Sequence, residues 1–437
     1  MKKLFIDTLG CQMNKSDTER IIGMLSHFDY STTENEDEAD LFIVNTCAIR
    51  QLSTDKAYSR LGNWGRIKKE KKQKNLSLPK IAICGCVAQL EKENLLKKFP
   101  QVDLVFGTRN IYQLPKLLQE IEEKRICATS DEPIEENEYN IARTESINAW
   151  LPIMEGCDNF CSYCVVPYTR GRERSRTIEA IVKEAKQILN DGFKEITLLG
   201  QNVDSYGKNL ENGENFAKLL KALDNLDGKF RIRFTSSYPT DITDEVIEVV
   251  KNSSKICECF HIPMQSGNNR ILKLMNRRYN VDEYSKIVQK IRSNIKNVAI
   301  TSDFIAGFPS ETEEEFNDTL KIIDELQLDY SNTAAYSPRP FTPAGKMTDK
   351  FIPDEEKKKR LQILNEKVKE ATLKSNEKYI GETLEVLIDG VKDGIYQGRA
   401  GNNKVVHLKD DKPHKIGDFV NVKIERVSTW CCFGKSV

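Results

Sequence analysis

Short apolar runs alternate with amphipathic stretches along the first 125 residues of the chain. Four runs have the length of buried strands: Lys3–Leu9, Leu41–Thr46, Lys80–Cys84 and Val102–Phe106. Stretches between them, such as Ser16–Phe28 and Asn110–Glu123, space their apolar residues as one face of a helix does. This alternation predicts a doubly wound α/β domain with a parallel sheet, which we place at residues 1–128.

A second alternating region follows an acidic segment, Thr129–Asn140, which has no apolar period and is predicted to be a linker. The apolar runs in the second region predict six strands with helices between them. These strands are Ala149–Met154, Glu195–Leu199, Arg231–Thr235, Cys259–Pro263, Ala299–Ile305 and Tyr330–Tyr336. Six βα units indicate an incomplete (β/α)6 barrel, which we place at residues 143–375.

The last part of the chain has a different pattern. A charged, helix-forming connector runs from Asp354 to Lys378, and glycine-punctuated strands follow it. The predicted strands are Leu384–Ile388, Lys404–Leu408 and Phe419–Ile424. Short strands of this kind predict a small OB-like β-barrel at residues 376–437.

Composition narrows the class of protein. Of the 437 residues, 39% are hydrophobic and 30% are charged, and no apolar run approaches the roughly 20 residues of a membrane helix. Asp7 interrupts the first apolar stretch too early for a signal peptide, so we expect a cytoplasmic protein without a membrane partner. Twelve cysteines in a long cytosolic chain indicate metal binding or redox chemistry.

Three cysteines stand close together after the first predicted strand of the barrel. Cys157, Cys161 and Cys164 are spaced so that three thiolates can wrap three irons of one cubane, which leaves the fourth iron open. Zinc also binds thiolates, but a structural zinc site needs a fourth ligand. No histidine is near in sequence, and the next cysteines along the chain are Cys127 and Cys257. An iron–sulfur cluster is therefore favoured over zinc.

This CxxxCxφC pattern, with aromatic Tyr163 at φ, resembles the radical S-adenosylmethionine superfamily. The resemblance implies that the methionine moiety of S-adenosylmethionine chelates the open iron, and that reduction releases a 5′-deoxyadenosyl radical. Residues in the loops after the barrel strands would then contact the cofactor, although each loop alone could be an ordinary turn. The candidates are Tyr163, Gly200, Gln201, Asn202, Ser236, Gln265, Gly307 and Pro309.

Three further cysteines follow the first three strands of the N-terminal domain. Cys11, Cys47 and Cys86 come after Lys3–Leu9, Leu41–Thr46 and Lys80–Cys84. Because the carboxyl ends of parallel strands share one edge of a sheet, we expect these thiols to meet in space. The alternative is ordinary burial of cysteine. A second cubane with an open iron, available for a sulfur substrate, is the prediction.

The whole chain resembles the methylthiotransferase family, which combines a three-cysteine domain, a radical barrel and a C-terminal TRAM domain. The motifs Asn45-Thr46-Cys47 and Gly85-Cys86-Val87-Ala88-Gln89, and the continuation Val165–Gly171, are similar to its tRNA branch. That branch converts N6-isopentenyladenosine beside the anticodon to its 2-methylthio derivative. The resemblance implies two [4Fe–4S] clusters, S-adenosylmethionine, tRNA, and an electron donor such as flavodoxin or ferredoxin.

Basic residues suggest where the RNA would be held. Lys plus Arg equals Asp plus Glu at 66 each, so any basic surface is local. Side chains at alternate positions of an extended segment share one face. Such a face would present four arginines to phosphate or substrate, and the alternative is a solvated charged strand. The four are Arg170, Arg172, Arg174 and Arg176. From residue 398 to the end, 8 basic residues stand against 4 acidic ones.

Two other functions compete with tRNA methylthiolation. One is methylthiolation of a ribosomal-protein aspartate, the reaction of the sister branch. The other is a metal-stabilised RNA-binding protein without turnover. The sequence identifies no side chain as catalytic, and we expect a monomer.

Overall fold

The computed structural model describes residues 1–49, 51–130, 140–410 and 412–437, so most of the predicted linker lies outside the described residues. The chain divides into two compact units. The first contains residues 1–144 together with 155–158 and 164–173, and the second contains residues 145–154, 159–163 and 174–437.

A six-stranded parallel sheet forms the centre of the first unit. Its strands are β1 (Lys2–Leu9), β2 (Tyr30–Thr32), β3 (Leu41–Thr46), β4 (Lys80–Gly85), β5 (Leu104–Phe106) and β6 (Ile126–Ala128), in the order β2-β1-β3-β4-β5-β6. The helices of its N-terminal part are α1 (Gln12–Ser26), α2 (Gln51–Gln73), α3 (Cys86–Glu91), α4 (Glu93–Lys98) and α5 (Leu114–Glu120).

Strand β3 shows why this sheet carries helices on both faces. All six of its residues are buried. Leu41 and Ile43 pack in one apolar cluster with residues of α1 and α5, whereas Phe42 packs in the opposite cluster with Trp64 of α2. Its first four residues are apolar, as burial on both faces favours, and this continuous apolar run is the pattern that predicted the strand.

Two strands and one helix of this unit differ from the prediction. Strands β2 and β6 were not predicted, because three residues are too few to show a period. The predicted helix Asn110–Glu123 is a 3₁₀ helix over Thr108–Gln113 followed by α5. Pro115 explains the break, since it lacks the amide hydrogen that a continuing helix would use.

The second unit carries the six predicted βα units. The strands from residue 145 to 335 are β7 (Asn148–Pro152), β8 (Met154–Glu155), β9 (Arg174–Ser175), β10 (Glu195–Leu199), β11 (Arg231–Phe234), β12 (Cys259–His261), β13 (Ala299–Ala306) and β14 (Tyr330–Ala335). Six of these strands form two parallel three-stranded sheets, β11-β10-β7 and β12-β13-β14, and β8 and β9 form a two-stranded sheet. A single bridge from Ile232 to Ile256 leads from the first sheet towards the second. The result is the partial barrel that was predicted.

Helices alternate with these strands, and most begin at a capping side chain. The α-helices after α5 are α6 (Val166–Thr169), α7 (Ile178–Asn190), α8 (Phe216–Asp224), α9 (Asp244–Asn252), α10 (Asn269–Leu274), α11 (Val281–Asn294), α12 (Glu313–Leu326) and α13 (Asp354–Glu377). Asn280 with Glu283, and Thr312 with Glu315, form complete capping boxes that satisfy the free amides of α11 and α12. None of the described helices is long and apolar enough to cross a lipid bilayer.

The C-terminal part is a closed five-stranded barrel. Its strands are β15 (Thr383–Lys392), β16 (Ile395–Ala400), β17 (Val405–Leu408), β18 (Phe419–Val427) and β19 (Cys432–Ser436). They follow each other in the order β15-β16-β17-β19-β18. Strands β16 and β19 were missing from the prediction. Parallel pairing of β17 with β19 closes the barrel. Because this pairing joins residues far apart in sequence, no local pattern predicts it.

Candidate functional sites

Three neighbouring strands of the first unit each end at a cysteine. Cys11 is the N-cap of α1 after β1, Cys47 follows β3, and Cys86 opens α3 after β4. Strands β1, β3 and β4 are adjacent in the sheet. The Cys47 thiol hydrogen-bonds to Cys11, and Cys86 is close enough to interact electrostatically with both. The structure therefore gathers these three thiols at one edge of the sheet.

Two asparagines that the sequence did not single out as site residues shape this edge. Asn14 Nδ2 donates to Asn45 Oδ1 at 2.8 Å and to the Thr46 carbonyl at 3.0 Å. Cys11 Sγ lies 3.2 Å from Asn14 Oδ1. Gly85 has φ of +86°, and a Cβ there would lie 2.5 Å from Asn45 Oδ1, so only glycine fits beside this network.

The three thiols differ in their readiness to ionise. The hydrogen bond from Cys47, with help from the Arg170 guanidinium, lowers the pKa of Cys11 to about 5. Donating that bond raises the pKa of Cys47, and burial adds to the effect. Burial also raises the pKa of Cys86, which the nearby Arg170 opposes. The thiolate is the form of cysteine that binds metal, and Cys11 is the thiol of the three that ionises most readily.

Arg170 lies inside the first unit. Its side chain is 3% exposed, and Nη2 donates to Asp17 Oδ2 at 2.5 Å. The remaining arginines of the row are placed differently. Arg172 and Arg174 are exposed, and Arg176 pairs with Glu184 at 2.8 Å and is largely buried.

The four arginines therefore do not share one face of an extended segment, and that expectation is wrong. The backbone ends α6 at Arg170 and turns at Gly171, where φ is +74°. Only Arg174 and Ser175 form the short strand β9. Contact with phosphate remains a prediction for the exposed Arg172 and Arg174.

The second cysteine set lies in the loop between β8 and α6. Its central cysteine, Cys161, is 8% exposed. The neighbouring Ser162 donates its amide to the Met275 carbonyl at 2.9 Å and its hydroxyl to the Leu274 carbonyl at 2.8 Å. Asn276 Nδ2 donates to the Phe160 carbonyl at 2.9 Å. Residues 274–276 thus hold the middle of the loop.

Arg277 continues this contact to the thiol itself. Its Nη1 lies 3.5 Å from Cys161 Sγ, and its guanidinium stacks on Tyr238 with 4.4 Å between the guanidinium carbon and the ring centre. Arg277 thus places a positive charge and a hydrogen-bond donor beside the Cys161 sulfur. Sequence reasoning missed Arg277. The only signal was its place shortly after α10, the helix that follows the Gln265 loop.

The other predicted cofactor residues follow the carboxyl ends of the barrel strands. Gly200, Gln201 and Asn202 follow β10, Ser236 follows β11, Gln265 follows β12, and Gly307 and Pro309 follow β13. Ser236, Gln265 and Gly307 have positive φ, of 70°, 75° and 72°. For the first two this is a strained backbone, of the kind found at ligand sites.

Some of these groups already have protein partners. The Asn202 side-chain amide donates to Asp241 at 2.7 Å, and the Gly307 amide donates to Glu311 at 2.8 Å. Tyr163 packs at the edge of an apolar cluster that contains Phe308. Asn202 and Gly307 would therefore shape the cofactor loops more than they bind through those particular atoms.

No three Cys, His, Asp or Glu side chains among the described residues converge closely enough to hold one metal ion. In a cubane each thiolate binds a different iron, so its cysteines stand further apart than the ligands of a single ion. Three nearby thiols beside a buried guanidinium are a donor set that suits such an anionic cluster.

Three family models match the chain. They are the radical SAM superfamily over residues 151–323, the uncharacterized protein family UPF0004 over residues 3–107, and the TRAM domain over residues 377–437. The partial barrel with its cysteine loop and the closed C-terminal barrel place the protein in the radical SAM class with an appended TRAM domain. Proteins of this class use a [4Fe–4S] cluster and S-adenosylmethionine.

Relatives narrow the class to one family. A protein of Acetivibrio thermocellus named tRNA-2-methylthio-N(6)-dimethylallyladenosine synthase is 44% identical over 446 residues, which covers 100% of this chain and 91% of that protein. A protein of the same name from Thermotoga petrophila is 41% identical over 438 residues, covering 100% of this chain and 97% of its own length. The chain belongs to the tRNA-2-methylthio-N(6)-dimethylallyladenosine synthase family.

A solved structure agrees at the level of the fold. The radical S-adenosylmethionine methyltransferase TsrM from Kitasatospora setae superposes with a TM-score of 0.58 at 13% identity. The match covers 79% of this chain and 75% of that chain. At this identity the likeness shows a shared fold and nothing finer.

Proposed function

We propose that this protein adds a methylthio group to C2 of N6-isopentenyladenosine beside the tRNA anticodon. The observation that carries the proposal is the meeting of Cys11, Cys47 and Cys86 at one sheet edge, in a chain that has a separate cysteine loop for radical chemistry. The full-length relatives carry the name of this activity, which favours it over the ribosomal and non-catalytic alternatives.

Two [4Fe–4S] clusters would have different roles in the reaction. The cluster on Cys157, Cys161 and Cys164 would supply radical initiation from S-adenosylmethionine, and that on Cys11, Cys47 and Cys86 would supply the sulfur. Adenine C2–H is neither acidic nor electrophilic, so acid–base catalysis by side chains offers little there. The chain's own residues instead hold the cofactors: Arg277 faces Cys161, and the Asn14–Asn45 network fixes the sheet edge.

The remaining elements of the proposal concern partners and organisation. The substrate is tRNA, bound in part by the domain at residues 376–437 and by Arg172 and Arg174. Cluster reduction requires a low-potential donor such as flavodoxin or ferredoxin. We place the protein in the cytoplasm as a monomer, with its other domains at residues 1–128 and 143–375. Contacts with S-adenosylmethionine are assigned to the loops that contain Gln201, Ser236, Gln265 and Pro309.

The test uses a strain that lacks the gene and nucleoside analysis of its tRNA. Without the gene, N6-isopentenyladenosine should accumulate and its 2-methylthio derivative should disappear. The intact gene should restore it, whereas Cys11→Ala/Cys47→Ala/Cys86→Ala and Cys157→Ala/Cys161→Ala/Cys164→Ala should each fail. Cys127→Ala, which changes a cysteine of β6 outside both sets, is the matched control and should restore the nucleoside.

Iron content separates loss of activity from loss of a cluster. Anaerobically reconstituted protein should hold about eight irons per chain, and each triple variant about four, as two cubanes require. Unchanged 2-methylthio nucleoside in the deletion strain would reject the substrate. Stoichiometric zinc without release of 5′-deoxyadenosine would reject the reaction class.

A further inference from the structure

Arg170 has an unusual environment for a side chain that the sequence predicted to lie on an exposed face. It directly follows the short helix α6, is 3% exposed, and lies wholly within the first unit. Arg109 Nη2 donates to its carbonyl oxygen at 3.2 Å, which fixes the backbone at the point where the chain turns. The guanidinium is therefore held in a defined position away from water.

The two terminal nitrogens of this guanidinium differ in their hydrogen bonds. Nη2 donates to Asp17 Oδ2 at 2.5 Å, and Asp17 is itself buried. Nη1 is also buried, but it has no hydrogen-bond partner among the residues that the structure describes. Glu155 Oε1 lies 3.5 Å from it as an ion-pair neighbour. A buried N–H donor without an acceptor is costly, and in a native protein it requires an explanation.

The groups around the guanidinium indicate what acceptor is missing. Arg170 interacts electrostatically with the thiols of Cys11 and Cys86, and also with Cys84. Asp17 and Glu155 are the carboxylates that face it. Asp17 also repels negative charge on Cys11, so it would oppose an anionic group at the thiols. Arg170 brings a positive charge to this edge that compensates for the charge of Asp17, on which Arg20 also acts.

We propose that Arg170 is a positioning residue of the three-cysteine site, where Asp17 holds one arm of the guanidinium and Nη1 donates a hydrogen bond to a sulfur atom of the iron–sulfur cluster. This inference rests on the proposed cluster at Cys11, Cys47 and Cys86. Sulfur atoms of such clusters accept hydrogen bonds, and these bonds with a nearby positive charge raise the reduction potential. Arg170 therefore retains the cluster and makes it easier to reduce.

The experiment examines this cluster alone, in the full-length Cys157→Ala/Cys161→Ala/Cys164→Ala parent reconstituted anaerobically with iron and sulfide. Replacing Arg170 alone would leave the buried Asp17 carboxylate without its ion-pair partner and destabilise the fold. The comparison is therefore between Asp17→Asn, which keeps the guanidinium, and Asp17→Asn/Arg170→Gln, which removes both charges. Arg170→Lys keeps the charge but loses the forked geometry. Iron content, loss of iron to a chelator, and a redox titration followed by electron paramagnetic resonance are the readouts.

We expect Asp17→Asn to keep the parent's four irons and its cluster signal. The double variant should lose iron severalfold faster, and its cluster should be at least tenfold harder to reduce, which is about 59 mV for one electron. Arg170→Lys should fall between the two. Equal potentials and equal iron loss in the single and double variants would overturn the role of Arg170. A parent that binds no iron at all would overturn the proposed cluster, and this inference with it.

Discussion

Near both candidate cofactor sites, single polar side chains are buried where strands end, whereas the cores of the two units are apolar. Asp204 is an example in the second unit. It lies in the turn after β10, where burial raises its pKa to about 7, against the effect of the neighbouring Ser237 hydroxyl. A carboxyl group whose pKa is raised by burial in the folded state makes stability depend on pH in a way that can be measured.

Asp204→Asn should change how stability depends on pH. Between about pH 4 and pH 7 the unfolded chain releases the Asp204 proton while the folded chain retains it, so this group lowers stability as pH rises through that window. Asparagine removes the effect. The free energy of unfolding of the variant should therefore increase relative to that of the wild type as pH increases from 4 to 7. The expected increase is roughly 1.4 kcal/mol for each unit of difference between the folded and unfolded pKa.

The measurement is urea unfolding of both proteins at several pH values. Asp227→Asn is the control, because it removes an exposed carboxylate. Its stability should depend on pH as that of the wild type does. A stability difference between Asp204→Asn and wild type that stays constant from pH 4 to pH 8 would contradict the assignment.

Elements with local signals were predictable, and elements defined by distant pairing were not. Strands β3 and β4 were predictable because burial on both faces gives each of them a continuous apolar run, at residues 41–44 and 81–84. Strand β19 did not, because its parallel pairing with β17 depends on closure of the barrel.

The candidate sites divide in the same way. Cysteines at strand ends were predictable because parallel topology brings such ends together. The pairing of Arg170 with Asp17 was not predictable, because 153 residues separate these side chains along the chain. Alternation of arginines suggested a surface row, but one glycine turn and one buried carboxylate place Arg170 inside.

Strand β11 joins the partial barrel to the C-terminal barrel within the second unit. Arg233 donates to Glu195 Oε2 at 2.8 Å, to the Ala400 carbonyl at 2.9 Å and to the Gly401 carbonyl at 3.1 Å. Arg231 donates to backbone carbonyls of Glu385 and Arg399. Both arginines are buried, so the C-terminal barrel is fixed by charged hydrogen bonds to its backbone.

Arg233→Gln should loosen this connection. It removes one partner of a buried ion pair and leaves Glu195 unpaired, which costs on the order of 3–5 kcal/mol. Urea unfolding should show the loss, and hydrogen exchange in β16 should become faster. Arg399→Gln is the matched control, because that side chain is 51% exposed and its ion pair with Asp389 spans 3.8 Å. Equal exchange rates in the two variants would show that Arg233 does not hold the barrel.

At the scale of the whole molecule, charge balance limits how tRNA is bound. Basic and acidic residues are equal in number, so non-specific attraction between the whole chain and RNA is weak and binding must come from local charges. Arg172 and Arg174 are exposed next to the cysteine loop, whereas Lys69 and Lys72 are exposed on α2 among mixed charges. These two pairs provide a comparison in which the change in net charge is identical.

Arg172→Gln/Arg174→Gln should weaken tRNA binding and reduce its dependence on salt. Each phosphate contact that is lost lowers the slope of log Kd against log salt concentration by roughly 0.7–0.9, so the double variant should lose about 1.5 in slope. Lys69→Gln/Lys72→Gln should keep the wild-type slope, because these two exposed lysines lie among mixed charges on α2. Fluorescence anisotropy of labelled tRNA at several salt concentrations measures both. If the two double variants lose slope equally, the effect belongs to net charge, and the contacts assigned to Arg172 and Arg174 are rejected.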